Sequence, residues 1–105
     1  MDKIEALRIS QNYLTKVRKS EVEFSEAWLF GSYANGSQHD NSDIDIAIVL
    51  KDNIAHTFET DVKLMLIRSK GDETLIEPHA FTKEEFDSKV PIVNQITQFG
   101  ERIII

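Results

Sequence analysis

Asp43 and Asp45 stand two residues apart at the head of Asp43-Ile44-Asp45-Ile46-Ala47-Ile48-Val49-Leu50. Ile44, Ile46 and Ile48 alternate with Asp43, Asp45 and Ala47, which predicts a strand over residues 43–50 with its isoleucines in the core. Both carboxylates then leave the same face of the sheet, roughly 5–7 Å apart. At an effective dielectric of about 20, their repulsion is on the order of 3 kcal/mol. A divalent cation held by oxygen ligands offsets such repulsion, and a strand fixes the ligand geometry in advance. A half-exposed strand can equally carry alternating acids on its wet face with no ligand at all. The pair acquires meaning from its neighbours.

Upstream, an apolar stretch ends at Gly31-Ser32, and Gly36, Ser37 and Ser42 follow before the carboxylates. A glycine at a strand end lets the backbone approach a ligand closely. A serine opening a helical turn offers a hydroxyl and N–H groups to a phosphate. Gly-Ser is also a common turn dipeptide. The joint order is the specific feature: apolar strand, Gly-Ser, a ten-residue connection, then Ser-Asp-Ile-Asp opening a second apolar strand. It sets a phosphate cradle beside a paired-carboxylate metal site.

Leu29-Phe30-Gly31-Ser32-Tyr33-Ala34-Asn35-Gly36 followed by Ser42-Asp43-Ile44-Asp45-Ile46 resembles the signature of the DNA polymerase β-like nucleotidyltransferase superfamily, and the chain's size resembles its minimal members. The resemblance implies an α+β fold, a small mixed sheet covered by helices. It implies that Gly31 and Ser32, with Gly36 and Ser42, bind the nucleotide, and that Asp43 and Asp45 bind Mg²⁺, two ions in all. The family's third carboxylate corresponds to Glu77 in Leu75-Ile76-Glu77-Pro78-His79, with Asp72 as a competitor in the Gly71 turn. Many relatives have a basic residue where this chain has Asn35. The implied reaction moves a nucleoside monophosphate, AMP from ATP as the default, to a hydroxyl acceptor with release of pyrophosphate. A separate small helical protein, HEPN-like as in toxin–antitoxin pairs, or a homodimer is the implied partner. Two rivals stay open: an antitoxin-like subunit acting by contact alone, and a nucleotide-sensing domain.

The elements that must position these residues are legible in outline. Ile4, Leu7, Tyr13 (or Leu14) and Val17 predict a helix over residues 2–19, with Asp2 and Glu5 resembling a capping box. Residues 24–30 read as a short buried strand. Residues 31–42, including Asn41, read as a turn-rich connection with at most one helical turn. A second helix is expected over residues 55–69 with Phe58, Val62, Met65, Leu66 and Ser69 on its buried face, broken by Gly71-Asp72. A third strand follows over 74–81, with Pro78 at a sheet edge. Thr82 and Glu85 form a capping box for a short helix. Pro91 starts and Gly100 ends a last helix, and Ile103 to Ile105 add a short strand or sit in an interface.

Composition narrows the classes. The chain has 105 residues, 41% of them hydrophobic, which fits one domain. Eighteen acids against 12 bases give a net charge of -6, which argues against non-specific nucleic-acid binding and against a polybasic membrane anchor. Any polyphosphate would meet a repulsive field unless cations intervened. The absence of cysteine removes disulfides, thiolate catalysis and Cys-based zinc sites. The longest apolar run, Ile46 to Leu50, is far too short to span a bilayer, and the start of the chain has no signal-peptide pattern. A soluble, cytoplasmic protein is expected. His39, His56 and His79 lack convincing metal-ligand spacing and read as surface or structural residues, although strand alternation puts His79 on the Glu77 face. Trp28 reads as core. Lys51, Lys63, Arg68 and Lys70 read mainly as a solvated face.

Overall fold

A computed structural model describes residues 1–39 and 42–105, so the Asn41 part of the connection lies outside the described residues. In chain order the elements are helix α1 (Lys3–Arg18), strand β1 (Phe24–Phe30), the single turn α2 (Ser32–Asn35) and strand β2 (Ile44–Leu50). Helix α3 (Phe58–Ile67), a 3-10 turn (Gly71–Leu75), strand β3 (Ile76–Phe81), helices α4 (Lys83–Asp87) and α5 (Pro91–Phe99) and strand β4 (Glu101–Arg102) complete it. The sheet order is β3-β2-β1-β4. β1 runs antiparallel to β2 and β4, whereas β2 and β3 are parallel. This is the mixed sheet with covering helices that the motif implies.

The alternation of β2 sorts the two faces. Ile44, Ile46, Ile48 and Leu50 are buried with Ala6, Ile9, Tyr13, Leu14 and Val17 of α1 and Leu64 of α3. On the other face, Ala47 and Val49 meet Phe86 of α4 and Val93 and Ile96 of α5, with Trp28, Phe30 and Phe81 packed against them. Both faces of β2 are therefore covered along its second half, which is why residues 46–50 read as an unbroken apolar run. The second cover stops short of Asp45, which is half-buried, and Asp43, which is exposed.

The helix ends follow local chemistry, with differences. The Asp2 carboxylate accepts the Glu5 N–H at 2.8 Å, but the Glu5 side chain turns to Arg8, so only half of the expected capping box forms. Ile4 is 78% exposed, because the stripe that meets the sheet runs through Ala6, Ile9, Tyr13, Leu14 and Val17 instead. The Thr82–Glu85 capping box is complete, and Pro91 opens α5 as expected. At Gly100 a Cβ would lie 2.4 Å from the Ile96 carbonyl oxygen and 2.7 Å from that of Leu29; the chain passes β1 too closely for any side chain. It then pairs as β4, and the Ile103 N–H donates to the Ala27 carbonyl. Ile103 is buried, while Ile104 and Ile105 face outward.

Helix α3 corrects the sequence expectation. It is shorter than residues 55–69, starting behind a Thr57 cap whose hydroxyl accepts the Thr60 N–H. The stripe expected in the core faces out: Phe58 is 83% and Leu66 77% exposed, and Val62 and Met65 are also open, whereas Leu64 is fully buried. The Tyr13 hydroxyl donates to the Leu64 carbonyl at 2.6 Å and Lys63 reaches Glu21 at 2.8 Å. Leu64 in the core shared with α1 and the Tyr13 bond to its carbonyl set the buried face of the helix, against its most apolar arc. Strand β3 begins two residues later than expected because Gly71–Leu75 winds into the 3-10 turn. Arg68 holds that turn, donating to the carbonyls of Thr74 and Ile76. Pro78 sits in the edge strand β3, where a missing N–H interrupts no inner ladder. Among the described residues, no helix is long and apolar enough to cross a membrane.

The rotation of α3 has a measurable consequence. Leu64→Ala should destabilise the protein by about 2–5 kcal/mol, as buried leucine truncations do, while Leu66→Ala should stay within about 0.5 kcal/mol. Urea denaturation of both variants checks this, and the reverse order would restore the periodicity-based face.

Candidate active site

Strand register builds the site. The parallel β2–β3 ladder sets Asp45 opposite Glu77 and Ala47 opposite His79. Glu77 and His79, two apart on β3, thus share the face of Asp45. The antiparallel β1–β2 ladder pairs Phe30 with Asp45 and brings the next residue, Gly31, against the carboxylate. A Cβ on Gly31 would lie 2.3 Å from Asp45 Oδ2, and the residue has φ +76°. Position 31 is restricted to glycine twice over, by backbone conformation and by contact. Its carbonyl accepts the N–H groups of Ala34 and Asn35, starting α2.

Asp45 is held on its other side as well. His79 Nε2 lies 3.1 Å from Asp45 Oδ1, and the Phe30 ring meets the imidazole edge-on at 5.1 Å between centroids. One ligand atom each from Asp45, Glu77 and His79 fall within 4.8 Å of one another. Asp43 is exposed at the mouth. A hydrogen bond with the Asp43 carboxyl is the main reason that the Glu77 pKa is raised above 4.5; desolvation and the Asp45 charge add to this, and His79 opposes it. The donor set, two carboxylates and an imidazole from two adjacent strands, fits a divalent cation, with Asp43 just before β2.

A cleft of about 320 Å³ opens on this cluster, lined by Asp43, Glu77, His79, Met65, Arg68 and Thr74. A second hollow, of about 210 Å³, lies across Gly31 between Phe30, Asn35, Ile92, Gln95 and Phe99. A larger hollow, about 860 Å³ around Asp52, Ile54, Thr82 and Asp87, sits at the far end of β2 and carries none of these groups.

The other residues singled out in the sequence have definite places. Ser32 is the first residue of α2, and Gly36 ends that turn with φ +83° and open space around it. Ser42 is buried, and its hydroxyl accepts the His39 N–H at 2.8 Å. Asn35 uses its carboxamide oxygen on the N–H and hydroxyl of Ser37. Asp72 lies in the 3-10 turn rather than in the strand. His56 pairs with Asp61 at 2.7 Å, and Trp28 packs near Phe86 at 6.3 Å between ring centroids. His79 enters the cluster although the sequence motif does not require it. Its alternation with Glu77 was the one available signal.

The raised Glu77 pKa fixes the sign of a pH effect. In the metal-free protein the folded state holds this proton more tightly than the unfolded chain does, so stability falls as pH rises from about 4.5 through the folded value. Glu77→Gln keeps a hydrogen-bonding group and removes that loss. In chelator at about pH 7 its Tm should exceed that of the parent by about 1–3 °C, a screened surface effect, and Mg²⁺ should raise the parent's Tm more than the variant's. Thermal unfolding across pH checks this; a parent and variant with parallel pH profiles would contradict it.

Comparison with known proteins places this geometry. The family model described as Polymerase beta, Nucleotidyltransferase matches residues 12–105. The protein adenylyltransferase MntA of Shewanella oneidensis is 32% identical over 75 residues, 59% of this chain and 54% of the relative. The chain thus spans about half the length of that curated relative. A solved structure described as a candidate nucleotidyltransferase from Sulfolobus solfataricus superposes with a TM-score of 0.64 at 24% identity, covering 82% of this chain and 75% of that one. A toxin–antitoxin structure with AMP-PNP superposes with the same TM-score of 0.64 at 23% identity, covering 89% and 71%. These two likenesses concern the fold. With a family match over nearly the whole chain and the Gly-Ser and Asp-x-Asp elements side by side at the sheet's open end, the chain belongs to the polymerase beta nucleotidyltransferase family.

Proposed function

We propose that residues 1–105 form one catalytic core that transfers a nucleoside monophosphate, AMP from ATP in the first instance, to a hydroxyl acceptor and releases pyrophosphate. The observation that carries this reading is the convergence of Asp45 and Glu77 beside Gly31 on the uncovered part of the sheet, with Asp43 two residues earlier at the cleft mouth. In this reading Asp43, Asp45 and Glu77 hold Mg²⁺, two ions in all. Bound there, the cation lowers the pKa of the attacking hydroxyl and neutralises charge on the triphosphate.

The side chains divide the remaining work. Gly31 lets the backbone lie against both Asp45 and the phosphates, and Ser32 donates its hydroxyl to a phosphate oxygen, with Gly36 and Ser42 shaping the loop that carries them. Glu77, on the same face as Asp45, accepts the proton of the attacking hydroxyl. The acceptor oxygen bonds to the α-phosphorus as the bond to the bridging oxygen breaks, and pyrophosphate leaves. Arg68, which lines the cleft, already donates to two carbonyls, and the net charge is -6. Phosphate neutralisation therefore falls to the cation rather than to basic side chains. The adenylyltransferase relative supports adenylyl transfer, and the toxin–antitoxin neighbour with AMP-PNP supports a nucleoside triphosphate substrate and a separate small helical partner protein.

The test uses ATP labelled on the α-phosphate, Mg²⁺ and a lysate of the source cell. The parent should label a macromolecule, and Asp45→Asn should label it at less than about one per cent of the parent rate with its Tm in chelator no lower. Parent-level labelling by Asp45→Asn would remove the metal-ligand assignment. Nucleotide binding without any transfer or pyrophosphate release would support a binding subunit instead.

A further inference from the structure

We propose that His79 is a direct ligand of the cation, so that Asp45, Glu77 and His79 form one coordination face selecting a first-row transition ion over Mg²⁺. The inference rests on the reading of Asp45 and Glu77 as cation ligands and adds what oxygen ligands alone do not supply, a nitrogen donor.

The geometry is that of a ligand set. Cis ligands of an octahedral ion with bonds of about 2.1 Å stand about 3 Å apart, and trans ligands about 4.2 Å. Asp45 Oδ1 and His79 Nε2 are 3.1 Å apart, and the three donor atoms of Asp45, Glu77 and His79 all lie within 4.8 Å of one another. Two rigid features produce this spacing. The β2–β3 register sets Asp45 across from Glu77, and alternation along β3 brings His79 onto the same face. The Phe30 ring against the imidazole limits its rotation with Nε2 toward Asp45. Asp43 stands outside this three-residue group and meets Glu77 from the mouth of the cleft.

Ligand chemistry then decides the ion. Mg²⁺ favours oxygen and gives up its waters reluctantly. An imidazole nitrogen favours the later first-row ions, whose affinities rise along the Irving–Williams order. An all-carboxylate site tolerates either kind of ion. Replacing one oxygen by His79 nitrogen tilts the site toward the transition ion.

The experiment is Mn²⁺ titration of the full chain followed by electron paramagnetic resonance, with pulsed detection of nitrogen coupled to bound Mn²⁺. Mg²⁺ affinity is read by competition. The parent should show nitrogen coupling. His79→Asn and His79→Gln should lose it and bind Mn²⁺ about tenfold or more weakly, while Mg²⁺ affinity changes by less than about threefold. Tm in chelator verifies that both variants are folded. Nitrogen coupling that is absent from the parent or persists in both variants would overturn the proposal. So would equal weakening of both ions, which would leave His79 as a residue that positions Asp45. Asp45→Asn separates the two levels: Mn²⁺ binding unaffected by it removes the underlying carboxylate site, whereas binding lost with Asp45→Asn but unchanged in the His79 variants removes only the nitrogen ligand.

Discussion

Mutual repulsion among carboxylates is the constraint on which the rest of the structure depends. Asp45 and Glu77 are paired by strand register, and Asp43 stands two residues before Asp45 at the mouth of the cleft. Strands hold the backbones of such groups at fixed spacing. The opposing free energy comes from apolar burial further along the same strands: Ile46, Ala47, Ile48, Val49 and Leu50 are all fully buried, between α1 and α3 on one side and α4 and α5 on the other. One seven-residue strand thus carries both the unfavourable cluster and the packing that retains it. A cation at the open end would convert the unfavourable part into a binding site.

The boundary between those two halves of β2 is set by where the helices end. Phe86, Val93 and Ile96 reach Ala47 and Val49 and no further. The capping box at Thr82 and Pro91 at the start of α5 fix where α4 and α5 begin, and Gly100 returns the chain to β1 immediately after. The carboxylates are accessible because the cover is short. A longer α5 would have to pass over the hollow between Phe30, Gln95 and Phe99, beside Gly31.

Much of this was legible in the residues. The bounds of β1 match the aromatic run at residues 24–30, and the alternation after Asp43 placed the isoleucines correctly, because period two leaves little ambiguity when one face is β-branched and the other is charged. The helices were less legible. In α3 the most apolar arc, Phe58, Val62, Met65 and Leu66, faces outward, while Leu64 joins the α1 core and its carbonyl takes the Tyr13 hydroxyl. Tyr13 lies more than forty residues away in the chain, beyond any local pattern. The same holds for Ile4 on α1, where the narrow buried stripe runs through Ala6, a residue that periodicity weights lightly. Of the candidate site, the Gly31–Asp45 contact followed from the motif's order, but the contact between His79 and Asp45 required the parallel register of β2 and β3, which no spacing within one strand reveals.

That register makes the edge strand more than a supplier of one acid. Pro78 separates Glu77 from His79 and sits opposite Ile46, on the face away from the carboxylates. Its ring fixes φ between the two donors, and its missing N–H is tolerated because β3 has a neighbour on one side only. Arg68 secures the start of the strand by holding the carbonyls of Thr74 and Ile76. The donors on β3 are thereby fixed from both directions, by a turn pinned before Glu77 and by a stiff residue after it. A site assembled from repelling groups needs this rigidity, because any slack would let Glu77 swing into solvent and dissolve the cluster. The edge strand's irregular composition, a proline between an acid and a histidine, is the local sequence solution to holding two donors on one face at a place where the sheet gives support from one side.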